Sequence, residues 1–212
     1  SASELVFPDR TSMAVLDADA IAGLSEDELN EIAGRFYNDT FSMDQNACAC
    51  PRVVFWRESS METGGRAADR FWNALAQAAK RYGLTENKVS LKYGDFWRFA
   101  GSGARSGQVR RYGNRLYVTE MKDIAGMTSE QRMRFGSFLE YHMKNGEEWI
   151  NAVTEKTQAL VFFGVEKQEL RESVLHHRLR GTHQIVPVGQ TLWMDLVWDG
   201  KDMIQALSRT IR

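Results

Sequence analysis

Apolar residues recur along this chain with two periods. In Ser12-Met-Ala-Val-Leu-Asp17 they run without interruption, the mark of a short buried strand, and Asp17 and Asp19 fall in the turn behind it. Ser25 with Glu28 is a capping box that opens a helix. Leu29, Ile32, Ala33 and Phe36 then share one helical face, and Asn38-Asp-Thr40 ends it. Arg52-Val-Val-Phe-Trp56 is apolar on both faces and belongs inside a sheet. A second helix is expected from Ala67 to Tyr82, packing through Phe71, Leu75, Ala78 and Ala79, with Gly83 as its C-cap.

The middle of the chain carries weaker patterns. Lys88-Val-Ser-Leu-Lys92 alternates faintly, Asp95-Phe-Trp-Arg-Phe-Ala100 is aromatic, and Gly101-Ser-Gly-Ala-Arg-Ser-Gly107 reads as a turn ahead of a strand at Arg115–Glu120. Thr128 with Gln131 caps an expected helix running to Lys144 and presenting Met133, Phe138 and Tyr141. Trp149–Val153 reads as a helical piece. Gln158-Ala-Leu-Val-Phe-Phe163 is a buried strand closed by Gly164, and Glu166–His177 is a polar-faced helix with Gly181 beyond it. Gln184–Val188 and Thr191–Val197 read as strands, the first broken by Pro187 and so at an edge or bend. Asp199 is the expected cap of a last helix through Met203, Ile204 and Leu207. Strand and helix signals alternate without repeat or linker. The prediction is one α/β domain over residues 1–212, three layers α/β/α, with a largely parallel or mixed sheet.

Composition narrows the chemistry. A net charge of −1 gives no electrostatic case for nucleic acid, and no apolar run is long enough to span a bilayer. Two cysteines, Cys48 and Cys50, are no secreted disulfide framework, so a reducing, cytoplasmic setting is expected. The chain opens Ser1-Ala2-Ser3, without Met, which suggests a piece of something longer. Cys48 lies in Phe41-Ser-Met-Asp-Gln-Asn-Ala-Cys-Ala-Cys-Pro51, among small and polar residues rather than core aliphatics. Pro51 forbids a long helix there, so any turn carrying Cys48 is short, with amides near the sulfur. Such a setting suits a nucleophilic thiolate that must admit substrate and stabilise negative charge. Cys-x-Cys lacks a second matching pair, and with only His176, His177 and His183 as further ligands no metal is expected. Cys50 is expected to pack.

Three stretches together resemble the LuxC acyl-CoA reductases, the fatty-acyl reductases of bacterial bioluminescence operons and their relatives. They are Tyr37–Cys48 with Pro51, Val161–Leu170, and Gly181–Gly189 continuing through Asp195–Gly200. The family is similar to the aldehyde dehydrogenases, so the resemblance implies an aldehyde dehydrogenase-like catalytic domain carrying the cysteine, with an N-terminal nucleotide-binding domain absent from this chain. It implies a reaction in which Cys48 attacks an acyl-CoA or acyl-protein thioester and expels the thiol; NADPH then reduces the acyl-cysteine to a long-chain aldehyde. It further implies the Cys48 amide as an oxyanion donor, a homo-oligomer, and an acyl-protein synthetase as partner. Asn46 has the chemistry of a second donor and equally that of a turn-former. The superfamily's Glu-x-Phe-Gly-Pro segment has no Glu counterpart before Ile185-Val-Pro187; His183 stands in that neighbourhood as a candidate base or cofactor contact, or as a plain surface histidine. No residue of this chain is assigned to the cofactor, and Gly101–Gly107 has the wrong spacing for a dinucleotide loop. Arg105, Arg110, Arg111 and Arg115 would suit coenzyme A phosphates or a solvated strand edge. Two other readings stay open: a cysteine acyltransferase or thioesterase, and a non-catalytic interaction fragment.

Overall fold

The structure, a computed structural model, describes residues 4–7, 9–124 and 133–208. In chain order the first half forms β1 (Thr11–Asp17), α1 (Ala18–Ala22), α2 (Glu26–Thr40), β2 (Pro51–Arg57), α3 (Met61–Ala78) and α4 (Glu86–Ala100). The second half forms β3 (Ser106–Tyr112), β4 (Leu116–Met121), β5 (Ser137–His142), β6 (Thr157–Phe163), α5 (Lys167–His176), β7 (Gln184–Pro187), the two-residue strands β8 (Val197–Trp198) and β9 (Lys201–Asp202), and α6 (Met203–Leu207).

The uninterrupted apolar runs take the middle of a seven-stranded sheet of order β3-β4-β5-β2-β1-β6-β7. All neighbours in it are parallel except the β3–β4 hairpin at one edge. Successive residues of β1 serve opposite faces. Ala14 and Leu16 join a core with α1, α2 and α3, while Met13 and Val15 join a second core with Phe99 of α4 and Leu170 of α5. Helices on both faces explain why the central strands lack polar alternation. The expected three-layer α/β/α architecture is what forms. Among the described residues no helix is long and apolar enough to cross a membrane.

Several expectations fail, each for a physical reason. The expected helix ending at Lys144 is instead strand β5: Thr128 and Gln131 lie outside the described residues, while Phe138 and Tyr141 sit on opposite faces of the sheet in different cores. Residues 86–100, read as faint alternation and an aromatic stretch, form one helix capped by Thr85. The helix expected from Ala67 begins earlier, at Met61 behind the cap of Ser60, and closes through a 3-10 turn to Tyr82, so Gly83 is not its C-cap. Thr191–Val197 forms no strand of the main sheet, and only Val197 enters the small β8–β9 hairpin. The cap of α6 is Asp202; Asp199 is buried and pairs with Arg10 at 3.0 Å. Pro187 ends β7 at the sheet edge, as its missing amide requires.

Candidate active site

Cys48 sits between α2 and β2, in a loop braced from three sides. The helix ends in a 3-10 turn at Phe41–Met43, and Asp44 and Gln45 then take left-handed conformations, with φ of 54° and 56°. Side-chain bonds hold that strained pair. Asp44 accepts from the Tyr82 hydroxyl and from Lys88 Nζ, both at 2.7 Å. Burial is the largest single influence on the Asp44 carboxyl and pushes it up, but Lys88 and Tyr82 together outweigh it and hold the group below its usual range. Gln45 is fully buried and behaves like a strand residue: its Nε2 donates to Ser137 O at 2.8 Å and Pro51 O at 3.2 Å, and its Oε1 accepts from the Gly136 and Ser137 amides at 3.1 Å. Gly136 must be glycine there, since at φ 78° a Cβ would meet Arg115 O at 2.2 Å and the Phe41 ring at 2.6 Å.

The cysteine itself lies in a tight turn closed by the Cys50 amide donating to Ala47 O at 3.0 Å. Its carbonyl accepts from Ser12 Oγ at 2.7 Å, and the same hydroxyl accepts from the Ala159 amide at 3.1 Å. Ser12 is thus a clip between the cysteine turn and β6. It is free for this because the register of β1 shifts beside it against both neighbouring strands. The Cys48 amide takes no acceptor among the described residues. That leaves an N–H beside the sulfur available to a developing oxyanion. Cys50 is wholly buried with its Sγ towards Thr40 O at 3.8 Å, and burial pushes its thiol up to about 12. Only Cys48 is half-exposed.

Cys48 opens into a cleft of about 550 Å³ that Ala47, Ala49, Phe7, Met43, Leu192, Met194, Trp198 and Met203 make mostly apolar; Gln158, Asp195 and Asp199 also line it. One wall is carried on the loop after β7, and α2 anchors that loop. Asp39 accepts from the Gly189 amide at 2.6 Å and the Thr191 amide at 3.1 Å, while burial raises its pKa. Asn46 is exposed and does not line the cleft; its amide closes the turn by donating to Met43 O at 2.8 Å. His183 lines a neighbouring groove of about 580 Å³ with Lys167, Arg171 and Trp193, which shares Met194 and Asp195 with the cysteine cleft. Burial and the Arg10 guanidinium lower the His183 pKa, against the pull of Asp199.

The arginines expected as a basic cluster are dispersed. Arg110 bridges Asp69 and the buried Glu140, Arg111 donates to the Tyr93 and Tyr117 hydroxyls at 2.9 Å, and Arg105 pairs with Asp123 at 3.5 Å. Residues that sequence reasoning passed over are Ser12, Asp39, Gln45, Gln158 and Asp199. Gln158 carried a usable signal, a polar side chain at the head of a buried apolar run.

Three strand-to-helix turns of the main sheet bear on a nicotinamide dinucleotide, and they differ in how their amides are spent. A diphosphate needs free amides at a strand-to-helix turn. Here the Asp17 carboxylate caps α1 and Ser60 caps α3 with the half-buried Glu58 beside it, whereas α5 starts behind Gly164 and Glu166 with no side-chain cap; Gly101–Gly107 leads from a helix into the β3–β4 hairpin.

No family model and no curated protein matches the sequence. The fold, in contrast, is that of the aldehyde dehydrogenase catalytic domain. A bifunctional proline utilization A (PutA) protein matches with a TM-score of 0.61 at 14% identity, over 92% of this chain and 20% of that one. A salicylaldehyde dehydrogenase from Pseudomonas putida G7, complexed with salicylaldehyde, gives 0.56 at 13% identity, over 94% and 44%. An NAD-dependent aldehyde dehydrogenase from Sinorhizobium meliloti gives 0.52 at 13%, over 84% and 37%. The chain spans less than half the length of each of these structures.

Proposed function

We propose that this chain is the cysteine-bearing catalytic domain of a fatty acyl-CoA reductase of the LuxC type. The observation that carries the reading is the half-exposed Cys48 at the wall of a predominantly apolar cleft, with its own amide unpaired among the described residues. The thiolate attacks the thioester carbonyl, and the oxygen takes up the electron pair facing the Cys48 N–H. Collapse re-forms the carbonyl and breaks the bond to the leaving sulfur, which departs as a thiolate and takes from solvent the proton that Cys48 released. Phe7, Met43, Leu192, Met194, Trp198 and Met203 provide the apolar lining that a fatty chain requires. The aldehyde dehydrogenase fold supports nicotinamide-dependent reduction of that acyl group, with NADPH as donor by the LuxC resemblance. The described residues carry the acyl-transfer half; a nucleotide-binding domain, a homo-oligomeric neighbour and an acyl-protein synthetase belong to the proposal as partners. A thioesterase would need a base beside the sulfur, and His183 lies in the adjoining groove instead.

Intact mass after incubation with a long-chain acyl-CoA tests this. One acyl adduct is expected, retained in Cys50→Ala and lost in Cys48→Ala. No adduct, an adduct that survives Cys48→Ala, or steady release of free fatty acid without nicotinamide would overturn the reading.

A further inference from the structure

Two polar side chains in the walls of the Cys48 cleft are buried with unmet hydrogen-bonding capacity. Gln158 is 2% exposed, and its Oε1 has no partner among the described residues. Asp199 is 6% exposed; Oδ2 lies 3.0 Å from Arg10 Nε, and Oδ1 has no partner. An unpaired buried oxygen costs about 1–3 kcal/mol. The cleft holds two of them against a lining that is mostly apolar, the exposed Asp195 apart. Both are acceptors, so the missing partners are donors.

A fatty acyl chain brings none, and neither does a simple aldehyde. The thiol half of a biological thioester does. A pantetheine arm places an amide N–H two methylene groups from the sulfur, with a further amide and a hydroxyl beyond. Gln158 is also held close to the reacting centre: the next residue, Ala159, donates to Ser12 Oγ, which in turn donates to the Cys48 carbonyl.

We propose that Gln158 and Asp199 bind the pantetheine arm of the thioester substrate, their free oxygens accepting its N–H and O–H groups, and so select pantetheine thioesters over simple alkyl thioesters and aldehydes. The inference rests on the thioester reading above. Selection by a buried acceptor is efficient because a ligand lacking the donor leaves that acceptor unpaired. A free coenzyme and a carrier protein share this arm, and the site reads only the arm.

The probes are two thioesters of one fatty acid, with N-acetylcysteamine and with its N-methyl analogue, which keeps the shape and removes the N–H. Acylation of Cys48 is followed by intact mass. In the native chain the N–H thioester reacts about tenfold faster, as one hydrogen bond of ordinary strength predicts. In Gln158→Met that ratio falls towards one. Because Met is of similar size and removes an amide with no partner in the free chain, the thermal midpoint stays level or rises; a purely structural glutamine would lower it. Equal rates for both thioesters in the native chain, or an unchanged ratio in Gln158→Met, overturn the inference and leave acylation standing. No adduct from either thioester overturns the functional reading and the inference together.

Discussion

Ser12 and Cys50 do opposite things for the same sulfur. The Ser12 hydroxyl fixes the Cys48 carbonyl, and so anchors the peptide that follows the residue whose amide lies beside the sulfur. Alkylation of a thiolate forms no oxyanion, whereas thioester attack does. Ser12→Ala should therefore lower acylation relative to alkylation by a small haloacetamide about tenfold, the order expected when one oxyanion contact is misaligned. Both rates can be read by mass, and an unchanged ratio would mean that the clip does not orient the turn. Cys50 fills space, and its burial has a pH signature. Its folded pKa of about 12 lies above the ordinary 9.0, so the native state holds a proton that the unfolded chain releases. Stability from this group is complete below about 9 and declines as pH climbs towards 12. Denaturant midpoints across that window should fall, and Cys50→Ala should flatten the slope.

Among the elements, α4 shows where a hydrophobic pattern stops being informative. Its buried positions are Lys92, Asp95 and Phe99, at proper helical spacing, but two of the three are ionic. Lys92 Nζ reaches four backbone carbonyls, those of Asn114, Arg115, Phe135 and Gly136, at 3.0–3.1 Å. Asp95 takes Arg134 through two bonds and Arg98 through one. Periodicity written in apolar residues cannot reveal a face that packs by charge. β5 was lost for the opposite reason, since a strand buried on both faces shows no alternation, and its Glu140 is satisfied inside by Trp56, Trp72 and Arg110. The capping box at Ser25, the central strands β1, β2 and β6 and the bent edge at Pro187 were all legible because their signals are local. The left-handed pair Asp44–Gln45 and the clip through Ser12 were not, because they depend on partners far away in sequence. Desolvation, with the Arg111 charge behind it, pulls the Lys92 pKa down to about 7; the protonated amine has three N–H groups to offer the four oxygens and the neutral one only two. Lys92→Met should cost about 3 kcal/mol or more, because buried carbonyls lose their donor. Urea unfolding measures it, and a loss below about 1 kcal/mol would show those oxygens satisfied otherwise.

Over the whole molecule, acyl transfer and hydride transfer make different demands on the helix N-termini. A reduced nicotinamide must be held by its diphosphate before its hydride can meet an acyl group, and free backbone amides at a helix start are the usual means. In this sheet Asp17 accepts from Ala20 N at 2.8 Å at the head of α1, and Ser60 accepts from Thr63 N at 3.2 Å at the head of α3. Carboxylates stand at or near these sites, and α5 starts behind Glu166 without a side-chain cap; a net charge of −1 adds no general attraction for a polyanion. The cysteine turn needs none of this, because its amide, its clip and its apolar wall all come from the residues described. Given a long-chain acyl-CoA and NADPH together, this chain should accumulate the acyl adduct on Cys48 while the absorbance of the reduced nicotinamide stays flat. The adduct should persist, since reduction is what would discharge it. Joined to a nucleotide-binding domain, the same acyl-enzyme should be consumed as NADPH is oxidised. Steady NADPH oxidation by the 212-residue chain alone, abolished by Cys48→Ala, would mean that it holds a dinucleotide itself, with the uncapped start of α5 the first place to look. The reducing half would then have to be sought on this sheet.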